Sequence, residues 1–141
     1  MTTHILVAID LGHENDARDL LLEAARQADV HDAALSVMTV VPDYGTSFVA
    51  SFFPMGTMKE AIVAANKALH TLVADALPGR QVQHITETGV VYEKVLKTIP
   101  RVHADLVIVG AHKPDLADRV QGPNSARIAR HAPCSVLVWR R

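Results

Sequence analysis

The chain has 141 residues and a mass of 15.3 kDa, a size that predicts one domain, residues 1–141, rather than two. Its 49% hydrophobic and 21% charged content excludes a disordered chain. A net charge of −1 and a sequence pI near 6.7 exclude a global field for nucleic acid or an anionic membrane.

Charge is nevertheless uneven. From Gly110 onward there are six Lys/Arg against two acids, a net +4, which leaves −5 for residues 1–109. Two readings stand for that segment: a charged helix with a basic tail, or a local anion site. Aromatic residues make up only 4%, so the core must be aliphatic, and four of the six (Tyr44, Phe48, Phe52, Phe53) fall within ten residues. The single cysteine, Cys134, has no internal partner and reads as a buried, inert thiol in a reducing cytoplasm. The first residues lack a basic region, Asp10 interrupts the first apolar run, and no run of 18 apolar residues occurs. The expectation is a cytoplasmic protein without a signal peptide or a membrane span.

Ile5 to Ile9 is a continuous apolar run, the pattern of a strand buried on both faces. Ala17, Leu20, Leu21, Ala24, Ala25 and Ala28 then form one helical stripe, beginning near Asn15 or Asp16. Ala34 to Val41 is a second strand, ended by Pro42-Asp43. A connection of about 16 residues to Thr57 is long enough to suspect a function. Ala61, Ala65, Leu69, Leu72, Val73 and Ala76 mark a second helix, stopped by Pro78-Gly79. Val82 to Glu87 is a partly polar strand, which suits a sheet edge. Val91, Val95, Ile99 and Val102 line a third helix, bent or ended near Pro100. Leu106 to Val109 is a buried strand closed by Gly110, residues from about Pro123 to His131 form a short helix, and Ser135 to Trp139 is the last strand.

This alternation predicts an α/β fold: a parallel sheet with helices on both faces. Ligands of such sheets sit beyond the carboxyl ends of the strands, where the strand order reverses. The candidate rim is therefore Asp10, Val40 to Pro42, and Gly110 to Ser125.

Several chemistries are absent. No glycine precedes a lysine, so there is no P-loop; the turn Asp10-Leu-Gly-His-Glu-Asn15 lacks G-x-G-x-x-G, and no G-x-S-x-G occurs. A phospho-receiver reading fails on Glu87, the wrong acid at the third strand's end. The eight histidines show no ligand spacing, so no metal is expected except Mg²⁺ arriving with a nucleotide. No base–nucleophile pair is visible, so the chain reads as a non-enzyme, with at most slow, incidental hydrolysis. What remains is the loop from Gly110 to Ser125. Its two glycines and the following helix start let backbone amides converge on an anion. Asn124 and Ser125 add side-chain donors, and His112 and Lys113 are either phosphate ligands or solvated loop residues. Asp10 stands equally as a ligand contact and as an N-cap or turn residue.

Ile5-Leu-Val-Ala-Ile-Asp10, Val107-Ile-Val-Gly-Ala-His112 and Arg130-His-Ala-Pro-Cys-Ser-Val-Leu-Val138 together resemble the universal stress protein family across the whole chain. The resemblance implies a Rossmann-like fold of the adenine nucleotide alpha hydrolase-like type, with five parallel strands in the order 3-2-1-4-5. It also implies a stress-response homodimer, or a tetramer, that binds ATP. Ala8, Ile9 and Asp10 would then border the adenosine and Val40 would pack on the base. Val109 and Gly110 would lead into the phosphate loop, with Gly122 its last glycine. This loop departs from the family's G-x2-G-x9-G-[ST] pattern: the middle glycine is missing, the loop is one residue shorter, and Pro123 replaces the Ser/Thr. The G-x-H-[RK]-P-D…G-x-N form resembles a subgroup in which Asn124 and Ser125 would supply what Pro123 lacks, while Pro123 preorganises the helix start. The alternative is a nucleotide-free module of the same fold that regulates a partner protein, a membrane transporter among the candidates. The last strand, Val136, Leu137, Val138 and Trp139, is an edge suited to antiparallel pairing with a second copy. Phe48, Phe52 and Phe53 either fold back on the second helix, cover the base as a lid, or form an oligomer contact.

Overall fold

The computed structural model describes residues 1–42, 57–111 and 124–140. Five strands form one parallel sheet: β1 (His4–Ala8), β2 (Ala34–Pro42), β3 (Gln83–Gly89), β4 (Leu106–Gly110) and β5 (Ser135–Trp139), in the order β3-β2-β1-β4-β5. The helices between them are α1 (Glu14–His31), α2 (Met58–Ala76), α3 (Val91–Val102) and α4 (Asn124–His131). The expected strand order and the edge position of β3 are both observed.

The apolar runs segregate by strand parity. Ile5 and Val7 of β1, Val37 of β2 and Ile108 of β4 face α1 and α2, and meet Leu20, Leu21, Leu69 and Val73. Leu6, Met38, Val107 and Val109 face the other way and pack with Val95 and Ile99 of α3 and Ile128 of α4. All six residues of the α1 stripe are buried, as their spacing predicts. Each helix thus buries one stripe on one sheet face, and a central strand feeds two aliphatic cores.

Element ends differ modestly from expectation. The α1 helix begins at Glu14 behind His13, a residue or two earlier than the periodicity suggests. In α2, Ala65 is only half-buried, while Thr57 caps the first turn by accepting the Glu60 N–H at 3.2 Å. The α3 helix runs through Pro100 to Val102. Pro100 offers no N–H to the Leu96 carbonyl one turn back, and the helix closes two residues later with His103 in the left-handed region (φ 56°).

Two polar bridges tie the strands at their amino ends. The Asp105 carboxylate accepts the Thr3 N–H at 2.8 Å, the Thr3 hydroxyl at 2.9 Å and the His4 N–H at 3.1 Å. Ser36, fully buried in β2, is bonded to His4 Nε2 at 2.7 Å and donates to Gln83 Oε1 at 2.8 Å, spanning β1, β2 and β3. Among the described residues no buried side-chain nitrogen or oxygen lacks a hydrogen-bond partner.

Candidate functional site

The strand order reverses at β1, which has β2 on one side and β4 on the other. The chain leaves β1 into α1 on one face and leaves β4 towards α4 on the other. The carboxyl ends of β1 and β4 therefore flank the switch point, the place where such sheets take their ligands, with Ala8 registered on Val109. Both helices return from this pole, so their N-termini lie on the rim side.

The β1 wall is held by backbone bonds to β2. The Ile9 N–H donates to the Met38 carbonyl at 2.9 Å, and the Ile9 carbonyl accepts the hydroxyl of buried Thr39 at 3.1 Å. Asp10 follows, exposed. Its Oδ1 accepts the Gly12 N–H at 2.8 Å, and its carbonyl accepts the His13 N–H at 3.2 Å, so the residue closes a tight turn into α1. Of the structural roles open for Asp10, the turn is the one observed. The residue preceding α1 is His13, which makes no side-chain cap bond. Asp10 Oδ2 lies 3.8 Å from His13 Nε2, which keeps the second carboxylate oxygen beside a titratable donor.

Val40 of β2 is half-buried against the Met38–Val109 core and registered on Glu87 of β3. On the β4 side Val109 is buried and Gly110 half-buried. A Cβ at Gly110 would meet Leu20 at 3.7 Å, ordinary van der Waals contact, so packing of the described residues does not demand glycine there. The Ala111 N–H extends the pairing with β5, donating to the Trp139 carbonyl at 2.8 Å.

Asn124 and Ser125 open α4, with Asn124 half-buried and Ser125 buried. Arg127, one turn on, lies over the Tyr92 ring of α3 at 4.8 Å and joins the two helices of that face. The two helix starts differ in charge. The first turn of α1 carries Glu14 and Asp16, whereas that of α4 carries no acid. An anion is therefore favoured at α4 and disfavoured at α1.

Ala8, Ile9, Asp10, Val40, Val109 and Gly110 thus share the carboxyl rim, and Asn124 and Ser125 begin the helix that returns from it. His112, Lys113, Gly122 and Pro123 lie outside the described residues, as do Phe48, Phe52 and Phe53. Thr39, Gly12 and His13 were not singled out from sequence. Gly12 had a legible signal, since Asp-x-Gly is a turn pattern and a Cβ at Gly12 would stand 3.1 Å from Asp10 Oδ1. Thr39 had none, because its role depends on the β1–β2 register.

Two other expectations have structural counterparts. The β5 strand is an edge with β4 as its neighbour, and Val138 is 41% exposed while Val136, Leu137 and Trp139 are half-buried. Cys134, expected buried, is half-buried because β5 is an edge strand, and burial, with a smaller effect from the Asp105 carboxylate, pushes its thiol up from the ordinary value. That is the opposite of an activated nucleophile. Among the described residues no group of three His, Cys, Asp or Glu side chains could hold a metal, and no helix is long and apolar enough to cross a membrane.

A parallel β3-β2-β1-β4-β5 sheet wound by helices on both faces, with its strand order reversing at β1 and β4, defines a doubly wound α/β protein of the Rossmann-like type. The family follows from comparison: residues 1–140 match the universal stress protein family, and the chain belongs to it. Universal stress protein A homolog 1 of Coxiella burnetii is 30% identical over 142 residues, covering 98% of this chain and 96% of that protein. Among solved structures, a universal stress protein in complex with cAMP superposes with a TM-score of 0.70 at 18% identity, covering 99% of this chain and 97% of the other. A universal stress protein from Archaeoglobus fulgidus in complex with dAMP has a TM-score of 0.69 at 17% identity, with 96% of each chain covered. At these identities the structural likeness speaks for the fold.

Proposed function

We propose that this chain is a single-domain, adenine-nucleotide-binding regulator that takes ATP at the carboxyl rim between β1 and β4. The observation that carries the reading is the asymmetry of this rim: an aliphatic and hydrogen-bonding wall on β1 and β2, and an acid-free helix start after Gly110 on the other side. The base would pack on Val40, with Ala8 to Asp10 along the adenosine. The phosphates would point towards α4, where Asn124 and Ser125 offer side-chain donors beside the N-terminal end of the dipole. His112, Lys113, Gly122 and Pro123 would complete the phosphate loop, and Mg²⁺ would arrive with the nucleotide. Adenine nucleotides in two solved relatives, cAMP in one and dAMP in the other, support the ligand class.

Burial pushes the Cys134 thiol up, away from an activated nucleophile, and the reading is one of sensing rather than committed catalysis. The protein would act in the cytoplasm, in a stress response, as a homodimer paired through Val136 to Trp139 of β5 or as a tetramer. Phe48, Phe52 and Phe53 would add an oligomer contact. A Val138→Asp variant should shift the dimer to monomer on sizing with light scattering; wild-type protein already monomeric at tens of micromolar contradicts the edge pairing.

Calorimetry on nucleotide-stripped protein tests the binding. Saturable heat with ATP–Mg²⁺ is expected, and Gly122→Val should abolish it by filling the space the phosphates need. No heat at millimolar ATP, together with no adenine nucleotide in extracts of unstripped protein, would refute it. That result would favour the module reading, in which the same fold acts through its surfaces on a partner protein, a transporter among them.

A further inference from the structure

The outer edge of the sheet carries a second feature, away from the carboxyl ends of β1 and β4. His84 of β3 and His70 of α2 stack face to face, with ring centroids 3.7 Å apart and planes 14° from parallel. The pair belongs to a seam between the helix and the edge strand. Towards the carboxyl end of β3 the Thr86 hydroxyl donates to Asn66 Oδ1 at 3.0 Å, and the Thr88 hydroxyl lies 3.5 Å from Met58 Sδ. These are light contacts, and the stack is the one built from two ionisable rings.

We propose that the His70–His84 stack is an acid-sensitive clasp that holds α2 on the edge strand β3 while at least one ring is neutral and loosens that seam when both are charged. Two imidazoliums at this separation repel, and parallel rings leave no room for a counterion between them. In water, unit charges about 4 Å apart repel by an amount equivalent to about a fivefold change in an equilibrium constant. The surroundings do not cancel this. Burial, followed by the charge of His70, holds the His84 ring below its ordinary value of 6.5, with a backbone hydrogen bond at Val82 acting in the opposite sense. On α2 the neighbouring charges are Lys67 and Asp75, and Asp75 is paired with Arg18 of α1. On β3 the charged residue is Glu87, whose parity puts it on the other face, where it pairs with Arg101 of α3 at 2.9 Å. The adjacent strand β2 carries no titratable side chain. Metal capture is disfavoured by the same geometry, since stacked rings do not converge their lone pairs and no third ligand lies nearby among the described residues.

The sign follows from linkage. A histidine whose folded value is depressed takes up its proton more readily in the unfolded chain. The stack therefore leaves stability intact above 6.5 and removes it as the pH falls below that value towards the depressed one. Loosening would reach the rim, because β3 is registered on β2 through Glu87 and Val40.

The test compares wild type with His70→Phe, which keeps an aromatic ring on His84 but cannot be charged. His70 is exposed, so the variant should fold. Between pH 7.5 and 5.0 the wild-type folding constant should fall about fivefold more than that of the variant. Amide exchange in residues 83–89, corrected for its intrinsic pH dependence, should accelerate at pH 5.0 in wild type and not in His70→Phe. In His70→Gln the ring resonances of His84 should titrate at higher pH than in wild type. Superimposable pH profiles of stability for wild type and His70→Phe, or an unmoved His84 titration in His70→Gln, would overturn the clasp. Nucleotide affinity plays no part in these readouts.

Discussion

Removing one hydroxyl from the β1 wall gives a sharp test of how the rim is held. Thr39 is 4% exposed, and its Oγ1 donates to the Ile9 carbonyl at 3.1 Å. The Ile9 N–H is already bonded to Met38, so the hydroxyl is the second link between the end of β1 and β2. Thr39→Val keeps the branched shape and removes only the donor. A neutral hydrogen bond contributes about 1 kcal/mol net, and a buried acceptor left without a partner raises the loss to about 1–3 kcal/mol. Ile9 is 5% exposed, which puts the expectation near the middle of that range, about 2 kcal/mol. With a urea slope of about 2 kcal/mol/M, the unfolding midpoint should fall by about 1 M at unchanged slope. A midpoint within about 0.2 M of wild type would mean that water replaces the hydroxyl and that the β1 end is not clamped as described.

Three further outcomes follow from packing, backbone geometry and charge. Leu21 is fully buried between α1 and the sheet, so Leu21→Ala should lose about 2–5 kcal/mol in the same urea experiment. Gly89 ends β3 at φ +132°, a conformation other residues rarely adopt, and a Cβ there would lie 2.9 Å from Lys94 Cε; Gly89→Ala should cost about 1–3 kcal/mol by thermal or urea unfolding. The hydrogen bond from the Thr3 N–H, ahead of the other bonds it accepts, holds the Asp105 carboxyl below its ordinary value of 3.8. Its contribution should be present above that value and disappear as the pH falls through the lowered one. Asp105→Asn should thus be less stable than wild type at pH 7, with the difference closing at strongly acidic pH in melting experiments.

Much of this architecture was legible in the sequence because burial imposes a period. The α1 stripe Ala17, Leu20, Leu21, Ala24, Ala25, Ala28 is the set of helix residues that the structure buries, and Ile5 to Ile9 and Leu106 to Val109 announce strands covered on both faces. The polar edge strand was legible for the same reason, since Gln83, Thr86 and Thr88 suit a strand with one neighbour. Pro100 marked the end of α3 to within two residues, because its ring removes an N–H and crowds the carbonyl one turn back. Long-range polar partners left no local trace. Thr39 with Ile9, Ser36 with His4 and Gln83, and His70 with His84 each depend on strand register or helix docking, which periodicity does not encode. In the candidate site, the rim positions Asp10, Val40 and Gly110 followed from strand ends, whereas the turn that engages the Asp10 carboxylate required coordinates.

The measurement that bears most directly on the proposed function is a crystal structure of the stripped protein soaked with ATP–Mg²⁺. The account expects the adenosine between Val40 and the Ala8–Asp10 segment, with the phosphates towards Gly110, Asn124 and Ser125. A nucleotide bound elsewhere, for example in the 470 Å³ cavity at the amino ends of the strands lined by His4, Leu35 and Gln83, would contradict it, as would an empty rim at saturating nucleotide.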